Sequence, residues 1–368
     1  MLVTCPACGF TAEWTPTLLK CTCGSALEAA HWPVFQPELI DSAAAGANRY
    51  HHLWPTASRF DHITMGEGWT PLVRSHHKVP CVWWKLEYAN PTGSYKDRGV
   101  APMVSMLAAA GVRHVVEDSS GNAGASVAAY SARAEIHSTI FVPAYASPSK
   151  TAQISAYGAE IILVPGTRHQ ATLAAEQVHT ESASYASHAW RPAMLAGLRG
   201  LAWEIWEQLN HEAPDWLVAP VGQGTLLLGA FQGFRSLLEA GLIDRLPRMV
   251  AVQAINCAPL YVAWQQQDPR PEDDWSQTVA EGISIPAPIR MTQLLEAIRI
   301  THGMVIQVTE SEITRHQVEL AHKGFFVEPT SAAAVAALDH VAAVANPEAT
   351  VVVPLTGSGL KSPSRSHA

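Results

Sequence analysis

The sequence predicts an α/β protein, with open, doubly wound sheets and a small cysteine ribbon at the N-terminus. Three observations carry this. Short apolar runs bounded by turn residues recur along the chain, the pattern of strands buried on both faces of a parallel sheet. Helix-forming stretches separate them, so strand and helix alternate. Two cysteine pairs stand apart from this alternation, within the first thirty residues.

Composition narrows the classes. A chain of 368 residues can bury a large core and form two domains. A hydrophobic content of 48% and a charged content of 15% suit a globular enzyme rather than a disordered chain. The formal net charge of -8 argues against a nucleic-acid partner, which needs a basic face. It leaves room for a local basic pocket that takes a phosphorylated metabolite. No apolar run approaches the length of a membrane span. The opening Met1-Leu2-Val3-Thr4-Cys5-Pro6 lacks the regions of an export signal, so a cytoplasmic location is expected. In that reducing compartment the six cysteines are expected as thiols or metal ligands rather than disulfides.

Taken in order, Cys5-Pro6-Ala7-Cys8-Gly9 and Cys21-Thr22-Cys23-Gly24 come first. A tight turn closed by glycine aims both thiolates of a pair at one ion, which suits tetrahedral zinc on Cys5, Cys8, Cys21 and Cys23. The second pair has one intervening residue where two are usual. A ribbon held by packing, or by metal-free thiols, is the other reading. Cys81 and Cys257 read as ordinary buried residues. Residues 31–60 are rich in Trp, Pro and His without a clear period and read as a linker lying on the body.

From about residue 66 the alternation begins. Strands are expected at Cys81–Leu86, Val115–Glu117, Thr139–Val142, Ile161–Val164, Trp216–Ala219, Met249–Val252 and Thr350–Val353. Helices are expected at Val100–Ala110, Ala123–Arg133, Leu226–Ala240 and Ser331–Ala345. The tail at 362–368 reads as disordered.

Four segments carry chemistry. Asn90-Pro91-Thr92-Gly93-Ser94-Tyr95-Lys96-Asp97-Arg98-Gly99 sets one lysine in a Gly/Ser/Pro turn. A lysine held there can lose water and shift its pKa, which suits a nucleophilic amine. A surface lysine in a glycine-rich loop is the other reading. A P-loop does not fit, because it needs Gly-Lys-Ser/Thr directly opening a helix. Ser119-Ser120-Gly121-Asn122-Ala123-Gly124 follows a strand and opens a helix, so its backbone N–H groups suit an anion such as a carboxylate. An ordinary capped turn is the alternative. In Pro220-Val221-Gly222-Gln223-Gly224-Thr225 the glycines let the backbone close on a phosphate, and the helix dipole favours its charge. The next glycine is Gly229 and no acid stands about twenty positions on, which argues against a dinucleotide. Pro354-Leu355-Thr356-Gly357-Ser358-Gly359-Leu360-Lys361 follows the last strand.

Together these segments resemble the fold-type II pyridoxal-phosphate enzymes, and among them the threonine synthases. Asn90–Gly99 resembles the family's Schiff-base lysine motif. Gly66-Glu67-Gly68-Trp69-Thr70-Pro71-Leu72, Ala280-Glu281-Gly282-Ile283 and Val327-Glu328-Pro329-Thr330-Ser331-Ala332 resemble further segments in the same order. The ribbon is similar to that of some archaeal and bacterial members.

The resemblance implies two doubly wound domains behind the ribbon at 1–30. The larger would take 31–98 and 206–361, and the smaller 99–205. It implies that Lys96 carries pyridoxal 5'-phosphate and, once freed, removes the substrate's α-proton. Asn122 would hydrogen-bond the cofactor's phenolic oxygen. Gly222, Gln223, Gly224 and Thr225 would cradle its phosphate. Thr356 would face the pyridine nitrogen, a neutral hydroxyl that steers chemistry toward the β-carbon. Ser119, Ser120 and Ala123 would hold the substrate's carboxylate, with Ser94 also in the substrate site. The implied reaction converts O-phospho-L-homoserine and water to L-threonine and phosphate, in a homodimer.

Two positions depart from the family. Met194 stands where an arginine helps bind the substrate's phosphate, and methionine cannot make that charge-assisted contact. Arg191 or Arg199 is expected to substitute. Ser358 stands where the family has histidine. A β-eliminating ammonia-lyase (threonine/serine dehydratase or diaminopropionate type) therefore stays open, as does a β-replacing synthase on O-phosphoserine (cysteate synthase type). A non-catalytic scaffold would have no use for Lys96, Asn122, the phosphate loop and Thr356 together.

Overall fold

The computed structural model describes residues 1–55, 62–76, 81–146, 148–180, 182–271 and 274–361. The tail at 362–368, expected to be disordered, lies outside the described residues. The chain divides into two units, Met1–Trp69 with Asn90–Leu198, and Thr70–Ala89 with Arg199–Ala368. Residues 31–69 and 90–98 thus fall in the first unit, whereas the sequence reading joined them to 206–361.

The ribbon comprises β1 (Leu2–Thr4), β2 (Thr11–Glu13) and β3 (Glu28–Ala29). Next come β4 (Leu72–Arg74), β5 (Cys81–Lys85), α1 (Lys96–Ala109), β6 (His114–Glu117), α2 (Asn122–Arg133) and β7 (His137–Pro143). They are followed by α3 (Pro148–Ala156), β8 (Glu160–Val164), α4 (Arg168–Val178), β9 (Ser184–Tyr185) and α5 (Pro192–Gln208). Then come β10 (Trp216–Pro220), α6 (Thr225–Glu239), β11 (Arg248–Ala254), α7 (Pro259–Trp264) and α8 (Met291–Ile300). The last are β12 (Met304–Val308), α9 (Glu310–His322), α10 (Pro329–Ala336), α11 (Leu338–Ala342) and β13 (Thr350–Pro354).

In the first unit β8, β7, β6 and β9 form a four-stranded parallel sheet, and the ribbon is a separate antiparallel sheet in the order β2-β1-β3. The expected linker at 31–60 holds two 3-10 helices, Pro37–Leu39 and Gly46–Leu53, the latter burying Ala47, Tyr50 and Leu53. Helix α1 starts at Lys96, earlier than expected, and contains Pro102. Proline has no N–H to donate to the Arg98 carbonyl one turn back. Gly197 on α5 comes up against that same carbonyl, where no side chain would fit. Proline and glycine together let the two helices approach closely.

In the second unit the order is β12-β11-β10-β13-β5-β4, parallel except for the edge strand β4. Val218, Val250, Val252 and Val353 on the sheet pack with Ala332, Ala333, Ala334 and Ala336 of α10. Small residues let this helix run close to the β-branched strands, which gives a dense core. The helix expected at Ser331–Ala345 breaks into α10 and α11 at Ala337. No described helix is long and apolar enough to cross a membrane.

Both sheets present the carboxyl ends of parallel strands to the loops that matter: Asp118 onward after β6, Val221 onward after β10, and Leu355 onward after β13. Ligands of open α/β sheets bind at such ends.

Candidate active site

Lys96 is the first residue of α1 and is 9% exposed. Its Nζ lies 4.8 Å from the centre of the Tyr95 ring. The turn before it is held by the next residue. Asp97 Oδ2 accepts from the Thr92 N–H at 2.7 Å, and Oδ1 accepts from Thr92 Oγ and Ser126 Oγ, both at 2.6 Å. A buried carboxylate with several donors is a rigid anchor. Ser94 is fully buried and its Oγ has no hydrogen-bond partner among the described residues.

After β6 the chain turns through Asp118, Ser119 and Ser120 into α2, whose first residues are Asn122 and Ala123. Ser119 is buried and its Oγ accepts from the Gly121 N–H at 3.3 Å, while Ser120 is half-buried. Gly124 leaves no space for a side chain against the Ser119 carbonyl, so the loop folds back tightly on the first turn of α2. The N–H groups of that turn are donors without partners inside the helix, as at any helix start.

Beside this loop lies a group the sequence reading missed. The Ala186 N–H bonds to the Val116 carbonyl, which extends the β6–β9 pairing and brings His188 next to Glu117. His188 Nδ1 lies 2.7 Å from Glu117 Oε1. Burial pushes the Glu117 carboxyl well above its ordinary range, and Asp118 adds to this. Burial holds His188 well below the usual histidine value, with Lys96 and Arg168 acting in the same direction. Asp118 itself accepts from Thr172 Oγ and lies 3.8 Å from Arg168.

In the second unit, Gly224 has φ +76° and caps α6, whose first residue is Thr225. A Cβ on Gly222 would sit 3.0 Å from the Gly282 carbonyl, and one on Gly224 would run into Leu294. Gln223 Oε1 accepts from the Ile289 N–H at 3.0 Å, which fixes the loop. Thr225 is 1% exposed, and its Oγ has no hydrogen-bond partner among the described residues. A glycine cradle, a helix N-terminus and an orphaned buried hydroxyl match the needs of a phosphate.

Thr356 follows β13 and is buried. Its Oγ donates to Glu328 Oε1 at 3.2 Å and lies 3.1 Å from Ser331 Oγ. Glu328 at this hydroxyl was not anticipated. Ser358 forms an isolated bridge with Val327.

Of the two arginines expected at the substrate's phosphate, Arg191 is used elsewhere. Arg191 is fully buried; its Nε donates to the Tyr185 carbonyl at 2.7 Å, and its Nη2 to the Pro16 carbonyl and Ser184 Oγ. Nη1 reaches the Leu18 carbonyl. The guanidinium ties residues of the N-terminal segment to β9, and burial brings its pKa down to about 9. Arg199 is buried within α5 and stacks on Trp203 at 5.3 Å. Met194 is also fully buried, packed against Gly99 one turn after Lys96.

Two other groups complete the inventory. Lys85 is fully buried with its Nζ 2.7 Å from Glu204 Oε2, and it donates to the Thr70 carbonyl and Gln208 Oε1. That amine is committed to structure. In the ribbon, Cys5 and Cys23 sulfurs are 3.5 Å apart, as are those of Cys8 and Cys21. All four lie within 4.8 Å of one another. Tetrahedral zinc at its usual bond length sets sulfurs about 3.8 Å apart, so the four thiols fit one ion.

Comparison with known proteins follows the same lines. A model of the pyridoxal-phosphate dependent enzyme family matches residues 63–357. A threonine synthase of Methanocaldococcus jannaschii is 33% identical, covering 99% of this chain and 93% of its own length. A threonine synthase of Synechocystis sp. is 34% identical, covering 85% of this chain and 82% of its own. An O-ureido-L-serine synthase structure superposes with a TM-score of 0.67 at 23% identity, over 80% of this chain and 89% of that one. A pyridoxal 5'-phosphate-dependent aspartate racemase also gives 0.67, at 21% identity over 78% and 90%. At such identities the structural likeness speaks to fold alone.

Proposed function

The chain belongs to the pyridoxal-phosphate dependent enzymes, and from that premise we propose that it converts O-phospho-L-homoserine and water to L-threonine and phosphate. The observation that carries this is the 33% identity to a threonine synthase across 99% of the chain, ribbon included. When bound, the cofactor supplies an electron sink for charge developing at the substrate's α-carbon.

The protein's own residues do the rest. Lys96 Nζ is the amine that holds the cofactor covalently, and when free it takes and returns the α-proton. Asn122 and Thr356 meet the polar atoms of the cofactor ring. Gly222, Gln223, Gly224 and the unpaired hydroxyl of Thr225 hold its phosphate. Ser119, Ser120 and Ala123, with Ser94, hold the substrate's carboxylate. Arg191 takes no part in this reading, because its guanidinium is buried against the carbonyls of Tyr185 and Pro16. Of the two expected arginines, Arg199 is the one left for the substrate's phosphate.

The four ribbon cysteines bind one zinc ion in this reading. The active form is a homodimer, by analogy with fold-type II enzymes, and its compartment is the cytoplasm.

The test is to mix cofactor-loaded protein with O-phospho-L-homoserine and follow phosphate and amino-acid products together. Phosphate with equal threonine supports the proposal. Absence of phosphate release, with ammonia and a 2-oxo acid formed from threonine or serine, would replace it with an ammonia-lyase.

A further inference from the structure

We propose that Glu117 and His188 are a second acid–base pair of this active site, moving the protons of the departing phosphate and of the added water while Lys96 moves those on the substrate's carbons. The proposal rests on the threonine-forming reaction above.

Position is the first argument. Glu117 is the last residue of β6, two places before Ser119. His188 follows β9, the parallel neighbour of β6. Both therefore lie at the carboxyl ends of adjacent strands, next to the anion-binding turn of α2.

Hydrogen bonding is the second. Glu117 Oε1 holds His188 Nδ1 at 2.7 Å. His188 Nε2 makes no hydrogen bond among the described residues. Glu117 is fully buried, and its Oε2 has no hydrogen-bond partner among the described residues. A carboxylate that fixes one ring nitrogen and leaves the other open is the arrangement that prepares histidine for proton transfer. A purely structural pair would gain nothing from an unbonded buried oxygen.

The surroundings set its protonation. Asp118, Lys96 from α1, Arg168 from α4 and Tyr185 from β9 are the charged and titratable groups whose fields act on the pair. Asp118 accepts from Thr172 and faces Arg168, both through Oδ2. Burial pushes the Glu117 carboxyl up and holds His188 down; the proposed starting state accordingly has the shared proton on Glu117 and the ring's own on Nε2.

The proton count closes. As the bond from the γ-carbon to the phosphate oxygen breaks, Nε2–H gives its proton to the departing oxygen. The Glu117 proton passes to Nδ1. When water adds, its oxygen bonds to the β-carbon and its proton goes to the lone pair of Nε2. The Nδ1 proton then returns to Glu117. The β-carbon also gives up one proton, whose electron pair expels the phosphate, and the γ-carbon gains one. Lys96 carries that proton between them as it takes and returns the α-proton, so every proton is accounted for and no other reactant is needed.

The experiment uses the full cofactor-loaded chain, as wild type, His188→Gln and Glu117→Gln, with O-phospho-L-homoserine in heavy water. Three readouts are followed: visible absorbance of the bound cofactor, deuterium uptake at the α-carbon, and phosphate release. The expected result for His188→Gln is unchanged absorbance, persistent α-exchange and phosphate release lowered about a hundredfold or more. For Glu117→Gln, phosphate release falls less and its pH dependence shifts, while that of α-exchange does not. Unchanged phosphate release in His188→Gln would overturn the proposal. Exchange and release falling together in both variants would also overturn it, by making the pair structural. If wild type itself releases no phosphate, the threonine-forming reading fails and takes this one with it. Release by wild type and both variants alike sinks only the pair.

Discussion

Ser126 Oγ donates to Asp97 Oδ1 at 2.6 Å, so the turn that carries Lys96 is bolted to α2, the helix that Asn122 opens. Lys96 and the first turn of α2 are thereby set in one frame. A site assembled from loops needs such supports, because a misplaced amine costs rate steeply.

Asp97→Ala removes the acceptor of three hydrogen bonds and leaves Thr92 and Ser126 hydroxyls buried without it. The expected loss is about 3 kcal/mol or more, with weakened cofactor retention. Thermal unfolding and cofactor absorbance check this together. Asp97→Asn, which keeps the shape and loses the charge, should lose less.

Arg191→Met addresses the role given to this residue. With its guanidinium gone, the carbonyls of Pro16 and Tyr185 lose their buried donors. We expect a loss of about 3 kcal/mol and no specific rise in KM for O-phospho-L-homoserine. A large KM increase at unchanged thermal stability would restore Arg191 to the substrate's phosphate.

The buried pair makes stability depend on pH, and the two residues act in opposite senses. Glu117 keeps its proton in the fold above the usual carboxylate range, so the folded state binds more protons there and stability falls as pH rises through that window. His188 stays neutral in the fold where an unfolded histidine is charged, so its contribution is present above about pH 6.5 and lost as pH falls below it. Melting temperatures taken from about pH 4 to about pH 8 should show Glu117→Gln gaining on wild type as pH rises. A gap that stays constant across that range would mean Glu117 ionises normally.

The ribbon supplies a separate test. Purified protein should hold one zinc ion per chain, and Cys5→Ser should lose it while keeping the cofactor bound. Elemental analysis beside cofactor absorbance decides this. Metal-free protein with an intact ribbon would leave the thiols held by packing alone.

Much of this was legible in the sequence, for identifiable reasons. Buried parallel strands such as Trp216–Pro220 announce themselves as continuous apolar runs. The strands not foreseen are short, like Leu72–Arg74 at a sheet edge and Ser184–Tyr185, or carry a polar residue, like Met304–Val308. Lys96, Asn122 and the Gly222–Thr225 loop stood out because turn chemistry and helix starts leave local marks. Asp97 sat inside the quoted motif, but its partners Thr92 and Ser126 are set by folding. The Glu117–His188 pair left half a signal, an acid ending an apolar strand. Its histidine lies 71 positions away and only β6–β9 pairing joins them. Arg191 misled because charge can be read from sequence and burial cannot.

The most direct measurement of the central claim is to reduce the cofactor-loaded protein with borohydride, digest it and find the pyridoxyl mark by mass spectrometry. The account predicts the mark on Lys96 alone. A mark on Lys85, which the structure commits to Glu204, or on any other lysine, would contradict it.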